Sequence, residues 1–112
     1  MTTIDDLIAK IEAATEGSRR LEELIGVAIG WLKEPAWVKK TPYCVLPEWS
    51  RSIGATISLA RNRREAHAML TAGAQATLGS RPEIEELFYA RNQWPTIQAM
   101  LLQNLEDRKE KP

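Results

Sequence analysis

The sequence predicts a mainly α-helical single domain over residues 1–112: an N-terminal antiparallel helical hairpin, a Pro/Trp-rich central connection and a helical second half. Three observations carry this. Apolar residues recur at three-and-four spacing near both ends of the chain, and Gly17-Ser18 joins the first two such patterns. Pro35, Pro42 and Pro47 break the rhythm in a stretch that also holds three of the four tryptophans. A chain of 112 residues suits one core. The alternative is an α+β arrangement with a short central sheet, because residues 43–59 contain pieces that read as strand or helix.

Residues 3–30 make the hairpin. Ile4, Leu7, Ile8 and Ile11 fall on one face, with Asp5, Asp6, Lys10 and Glu12 between them. Thr3 is placed to cap the helix, and Asp5 and Asp6 complement its dipole. Gly17 is expected to end it in a left-handed conformation, with Ser18 capping the next helix through Leu21, Leu24, Ile25, Ala28 and Ile29 to Gly30. So short a joint predicts that the two stripes face each other or a common core. Residues 31–50 are a long connection, a kind more often functional than ordinary loops, with an extended piece expected at Tyr43-Cys44-Val45-Leu46.

Residues 51–108 read as helical. Ile53, Ala55, Ile57 and Leu59 alternate as in a strand, yet Ser50 or Ser52 can cap a helix with Ile53, Ile57 and Ala60 on one face; Gly54 and Ala55 favour the helix. Ala66, Met69, Leu70, Ala74 and Leu78 give the next helix one apolar face, stopped by Gly79. Ser80-Arg81-Pro82-Glu83 has the form of a capping box for a helix that buries Ile84, Leu87 and Phe88. Asn92-Gln93-Trp94-Pro95 interrupts it, either as a kink or as a break with Pro95 opening a last helix through Ile97, Leu101 and Leu105; Lys109 and Lys111 are expected to be a frayed, solvated end.

Fifteen acidic and fifteen basic residues cancel, which argues against a wholesale electrostatic binder of nucleic acid or anionic membrane. The lone Cys44 has no disulfide partner in the chain, the first residues lack the pattern of a secretion signal, and no apolar run is long enough to span a bilayer. A cytoplasmic location is the expectation. The chain reads as a non-enzyme with no cofactor and no metal. His67 has no Cys or carboxylate three or four residues away, and the first-turn carboxylates Glu83, Glu85 and Glu86 are explained by the helix dipole.

The string Leu7-Ile8-Ala9-Lys10-Ile11-Glu12-Ala13-Ala14-Thr15-Glu16-Gly17-Ser18-Arg19, then Leu21 and Ala28-Ile29-Gly30-Trp31, resembles the opening of small bacteriophage and prophage proteins grouped as the phage ABA-sandwich or related uncharacterised families. Pro47 to Leu59, with Ser52-Ile53 and Ile57, resembles a later part more loosely, and Pro95 to Leu105 the terminal helix. The resemblance implies a phage or prophage accessory gene. It also implies a β-sandwich portion where Arg61 to Ala90 of this chain reads as helix. The family carries no established catalytic residues to transfer.

Charge is unevenly spread. Residues 1–30 hold six acids and three bases, whereas residues 31–64 hold Glu34 and Glu48 against Lys33, Lys39, Lys40, Arg51, Arg61, Arg63 and Arg64. Trp31, Trp37, Tyr43 and Trp49 are interleaved with these cations. The aromatics either plug the open side of the hairpin or, with the cations, form a recognition surface. The expected partner-binding residues are Trp37, Lys39, Lys40, Tyr43, Trp49, Arg51, Arg61, Arg63 and Arg64. The expected partner is a host or phage protein, in the manner of an anti-defence inhibitor such as an anti-CRISPR protein. A homodimer is a further expectation, and a nucleotide or nucleic acid bound by Arg61, Arg63, Arg64 and a stacking tryptophan is the alternative. Were the central segment purely structural, the acidic faces of Asp5, Glu12, Glu16, Glu22 and Glu23 would be the place to seek the site.

Overall fold

The computed structural model describes residues 4–31, 46–78 and 93–110. Among them are five helices and no strand: α1 (Ile4–Ala13), α2 (Arg19–Ala28), α3 (Ile53–Ile57), α4 (Arg63–Leu78) and α5 (Trp94–Glu110). The chain is mainly α, and neither the central sheet nor a sandwich strand occurs among the described residues. Thr3, the piece at Tyr43 to Val45, the Ser80 capping box and the helix expected on Ile84, Leu87 and Phe88 lie outside them.

The predicted stripe of α1 points inward, with Leu7 and Ile11 wholly buried and Ile4 and Ile8 at the margin. Its main neighbour is α5, with α2 second, so α1 and α2 join a common core. The end of α1 differs from expectation. The helix stops at Ala13, and its carbonyls are satisfied across the fold: Trp94 Nε1 donates to Ala14 O at 3.0 Å and Gln98 Nε2 to Ile11 O at 2.8 Å. Gly17 takes no part in that stop and has no positive φ; it is needed because a Cβ there would lie 1.8 Å from Ser50 O. The left-handed glycine is Gly30, at φ 87°, where Gly30 N donates to Val27 O and Trp31 N to Gly26 O in a Schellman ending of α2.

Ser18 caps α2 as the sequence predicts, accepting from Leu21 N at 3.2 Å. Of the two serines offered for α3, Ser52 is the cap and Ser50 is buried instead. The inward face of this segment is Ile53, Thr56 and Leu59, in place of Ile53, Ile57 and Ala60. Thr56 is admitted because its hydroxyl lies 2.6 Å from Trp49 O and 2.7 Å from Ser52 O.

The most extensive helix pair is α4 against α5. Met69 and Ala74 on α4 meet a core that includes Ile97, Met100, Leu101 and Leu105 on α5. Gly73 sets the approach, since a Cβ on it would fall 2.9 Å from both Met100 Cγ and Thr96 Cγ2. Pro95 sits in the first turn of α5, where its missing N–H costs nothing. Lys109 is not frayed: α5 continues to Glu110, and Lys109 Nζ reaches Asp5 Oδ1 of α1 at 2.6 Å, while Lys111 lies outside the described residues.

The two glycines near α3 make opposite predictions. Gly17→Ala drives a methyl into the Ser50 carbonyl and is expected to cost at least about 2 kcal/mol, within the range for overpacking a tight site. Gly54→Ala meets only Ser52 Oγ, at an ordinary 3.9 Å, and is expected to stabilise by about 0.5–1 kcal/mol by lowering the entropy of the unfolded chain. Urea unfolding of both variants measures the contrast, and equal effects would contradict the close approach at Gly17.

Candidate functional site

Two glutamates in succession on a surface helix, Glu22-Glu23, look like a solvated edge, yet the Glu22 side chain has no exposed surface. It therefore does not belong to an acidic solvent face, contrary to the sequence expectation. A buried carboxylate demands partners. Arg51 supplies a fork, with Nε on Oε2 and Nη2 on Oε1, both at 2.9 Å. Ser50 Oγ lies 2.8 Å from Oε2 and Arg19 Nη1 3.4 Å from Oε1. Ser50 Oγ also accepts from Ser18 N at 3.0 Å and lies 2.9 Å from Ser18 O, while Arg19 Nη1 donates to Leu46 O at 2.9 Å. Residues 46–51 are thus clipped to the N-terminal turn of α2, where a carboxylate also complements the helix dipole.

The clip holds the residues that follow Trp49 in the chain. Trp49, expected on a partner surface, is 1% exposed and belongs to the hydrophobic core. Trp31 rests on it edge to face, with ring centroids 5.1 Å apart and planes at 79°. At 62% exposure it is the exposed large apolar side chain among the described residues. Its backbone is fixed by the Schellman ending of α2, and its ring by Trp49.

The arginines of the predicted surface separate into two kinds. Arg51 is spent on Glu22, with Glu48 at 3.9 Å as a second, looser partner. Arg61 is spent on Glu65, whose carboxylate takes Nε and Nη2 at 2.9 Å and the Arg61 amide at 3.0 Å. Arg63 and Arg64 are exposed, and neither forms an ion pair with another described residue. His67, one turn on, is exposed. Trp37, Lys39, Lys40 and Tyr43, and with them Cys44, Glu83, Glu85 and Glu86, lie outside the described residues.

A cleft of about 210 Å³ opens between α4 and α5, lined by Asn62, Arg64, Glu65, Ala68, Asp107 and Glu110. Three carboxylates to one guanidinium make it a poor seat for phosphate. Behind it, Arg108 donates to Asn104 Oδ1 and Leu59 O, each at 2.9 Å, and burial with the nearby charge of Arg61 pulls its pKa down. Among the described residues no group of His, Cys, Asp and Glu is arranged to hold a metal ion, and no helix is long and apolar enough to cross a membrane. No family model, no curated protein and no solved structure matches this chain.

Burial pushes the Glu22 carboxyl up, but hydrogen bonds from Arg51 and Ser50 and the charge of Arg51 outweigh it, leaving the pKa below the usual glutamate value. The hydrogen bond from Arg61 likewise holds Glu65 low. A carboxyl lowered in the folded state contributes stability that is fully present above its unfolded pKa and is lost as pH falls through the folded one. Glu22→Gln is therefore expected to lose about 2 kcal/mol at neutral pH, the scale of a hydrogen bond to a charged group, and to lose less on acidification than the parent. Calorimetry across the acid range measures this, and parallel curves would contradict the assignment.

Proposed function

We propose that the protein acts by stoichiometric binding to another protein, with Trp31 as the aromatic anchor and Arg63 and Arg64 among its cationic contacts. The observation that carries this reading is a tryptophan 62% exposed yet held at both backbone and ring. Exposed aromatic area fixed before binding costs little entropy to dock, which is why tryptophan and arginine dominate interface hot spots. Two exposed arginines without an ion-pair partner among the described residues favour an acidic surface on the other protein. Nucleotide binding ranks lower. Arg61 is committed to Glu65, and the cleft beside Arg64 is acidic.

The sharper form of the proposal follows from the resemblance in the sequence: a phage or prophage accessory protein that inhibits a host defence effector in the bacterial cytoplasm, binding its acidic surface without turnover. Binding to a second copy of the chain is a distinct outcome, read from the mass in solution. Immobilised protein exposed to lysate of a bacterial host is expected to retain a protein that Trp31→Ala and the double reversal Arg63→Glu/Arg64→Glu release, each weakening binding by about 2 kcal/mol or more. Thermal midpoints should change little, because these groups are exposed. Equal retention by all three forms would contradict the proposal.

A further inference from the structure

One chain of contacts joins Trp31 to the polar cluster at Glu22. The Glu22 carboxylate holds Ser50 and Arg51, the backbone of that turn holds Trp49, and the Trp49 ring supports Trp31. Thr56 fastens the same turn from the other side through Trp49 O. We infer that Glu22 is a positioning residue for recognition: it sets the pose of the Trp31–Trp49 pair and so presents Trp31 as a preformed anchor for the apolar pocket of a protein partner.

The inference rests on the protein-binding reading. Its geometric half can be tested without a partner. The contact at risk is specific. If the turn at residues 49–51 leaves α2, the Trp49 ring moves and the edge-to-face contact is lost, while α4 and α5 keep their own extensive contact with each other. Trp31 would then be exposed but free to rotate, and binding would have to order it. The bidentate hold of Arg51 and the donated hydroxyl of Ser50 are what a neutral amide at position 22 cannot reproduce in full.

Two indoles in contact couple their ultraviolet transitions and give an exciton couplet in circular dichroism. The wild-type chain is expected to show the couplet, and Trp31→Phe to abolish it. Glu22→Gln is expected to lose it while the helical signal stays. Because leaving Arg51 without its partner could disturb the fold, the double variant Glu22→Gln/Arg51→Met is the companion, removing both charges at similar size. A helical double variant that keeps the wild-type couplet would overturn the positioning role, as would a wild-type chain without one. Loss of the couplet together with roughly thirtyfold weaker binding to the captured partner upholds both halves. Loss of the couplet with unchanged binding upholds the positioning of the pair and overturns Trp31 as the anchor.

Discussion

A single buried carboxylate organises the described part of this fold between α2 and α3. Glu22 faces inward with no exposed surface, and that arrangement is tolerable only because Arg51, Ser50 and Arg19 surround it. The placement of residues 46–52 follows from the resulting clip. Ser50 must approach Gly17 so closely that a side chain there is excluded. Trp49 enters the core, and Ser52 and Thr56 then start α3 in the right place. An apolar pair in place of both Glu22 and Arg51 could pack as well as the ion pair does, but it would lack the directional bonds that set which turn of chain lies against α2.

The rest of the core is held by a different kind of constraint. The approach of α4 to α5 through Gly73 is steric, and the end of α1 is tied to α5 by the Trp94 and Gln98 side chains in place of a local glycine stop. The Asp5–Lys109 pair joins the same two helices from the exposed side, where ion pairs add little. Apolar packing and the polar clip therefore occupy opposite ends of the molecule's energetic logic. One supplies stability and the other supplies register. That register places Trp49 in the core, and the exposed Trp31 meets its ring edge to face.

What the sequence reveals here is what local pattern can carry. The stripe of Ile4, Leu7, Ile8 and Ile11, the cap at Ser18, the choice of helix over strand at residues 53–57 and the opening of α5 near Pro95 are written within a few residues of themselves. Glu22 is not. Beside Glu23 it has the signature of a solvated edge, and its burial is decided by Arg51, which lies 29 positions away. Gly17 fails for the same reason. A glycine after a helix usually marks a left-handed stop, whereas this one marks a nonlocal contact with Ser50. Trp49 and Arg51 carry the residue types of a recognition surface, and only the tertiary structure shows the first in the core and the second in an ion pair. Arg63 and Arg64 are exposed at the start of α4.

Amide hydrogen exchange at Ser18 tests the central role of the clip most directly. This amide belongs to no helical hydrogen bond; its partner is the Ser50 hydroxyl at 3.0 Å, 32 positions along the chain. If the Glu22 cluster holds residues 46–51 against α2, the Ser18 amide exchanges as slowly as amides inside α2, and Glu22→Gln releases it while the amides of α4 and α5 stay protected. Exchange of the Ser18 amide at the rate of an unstructured peptide in the unaltered protein would contradict the clip and everything built on it.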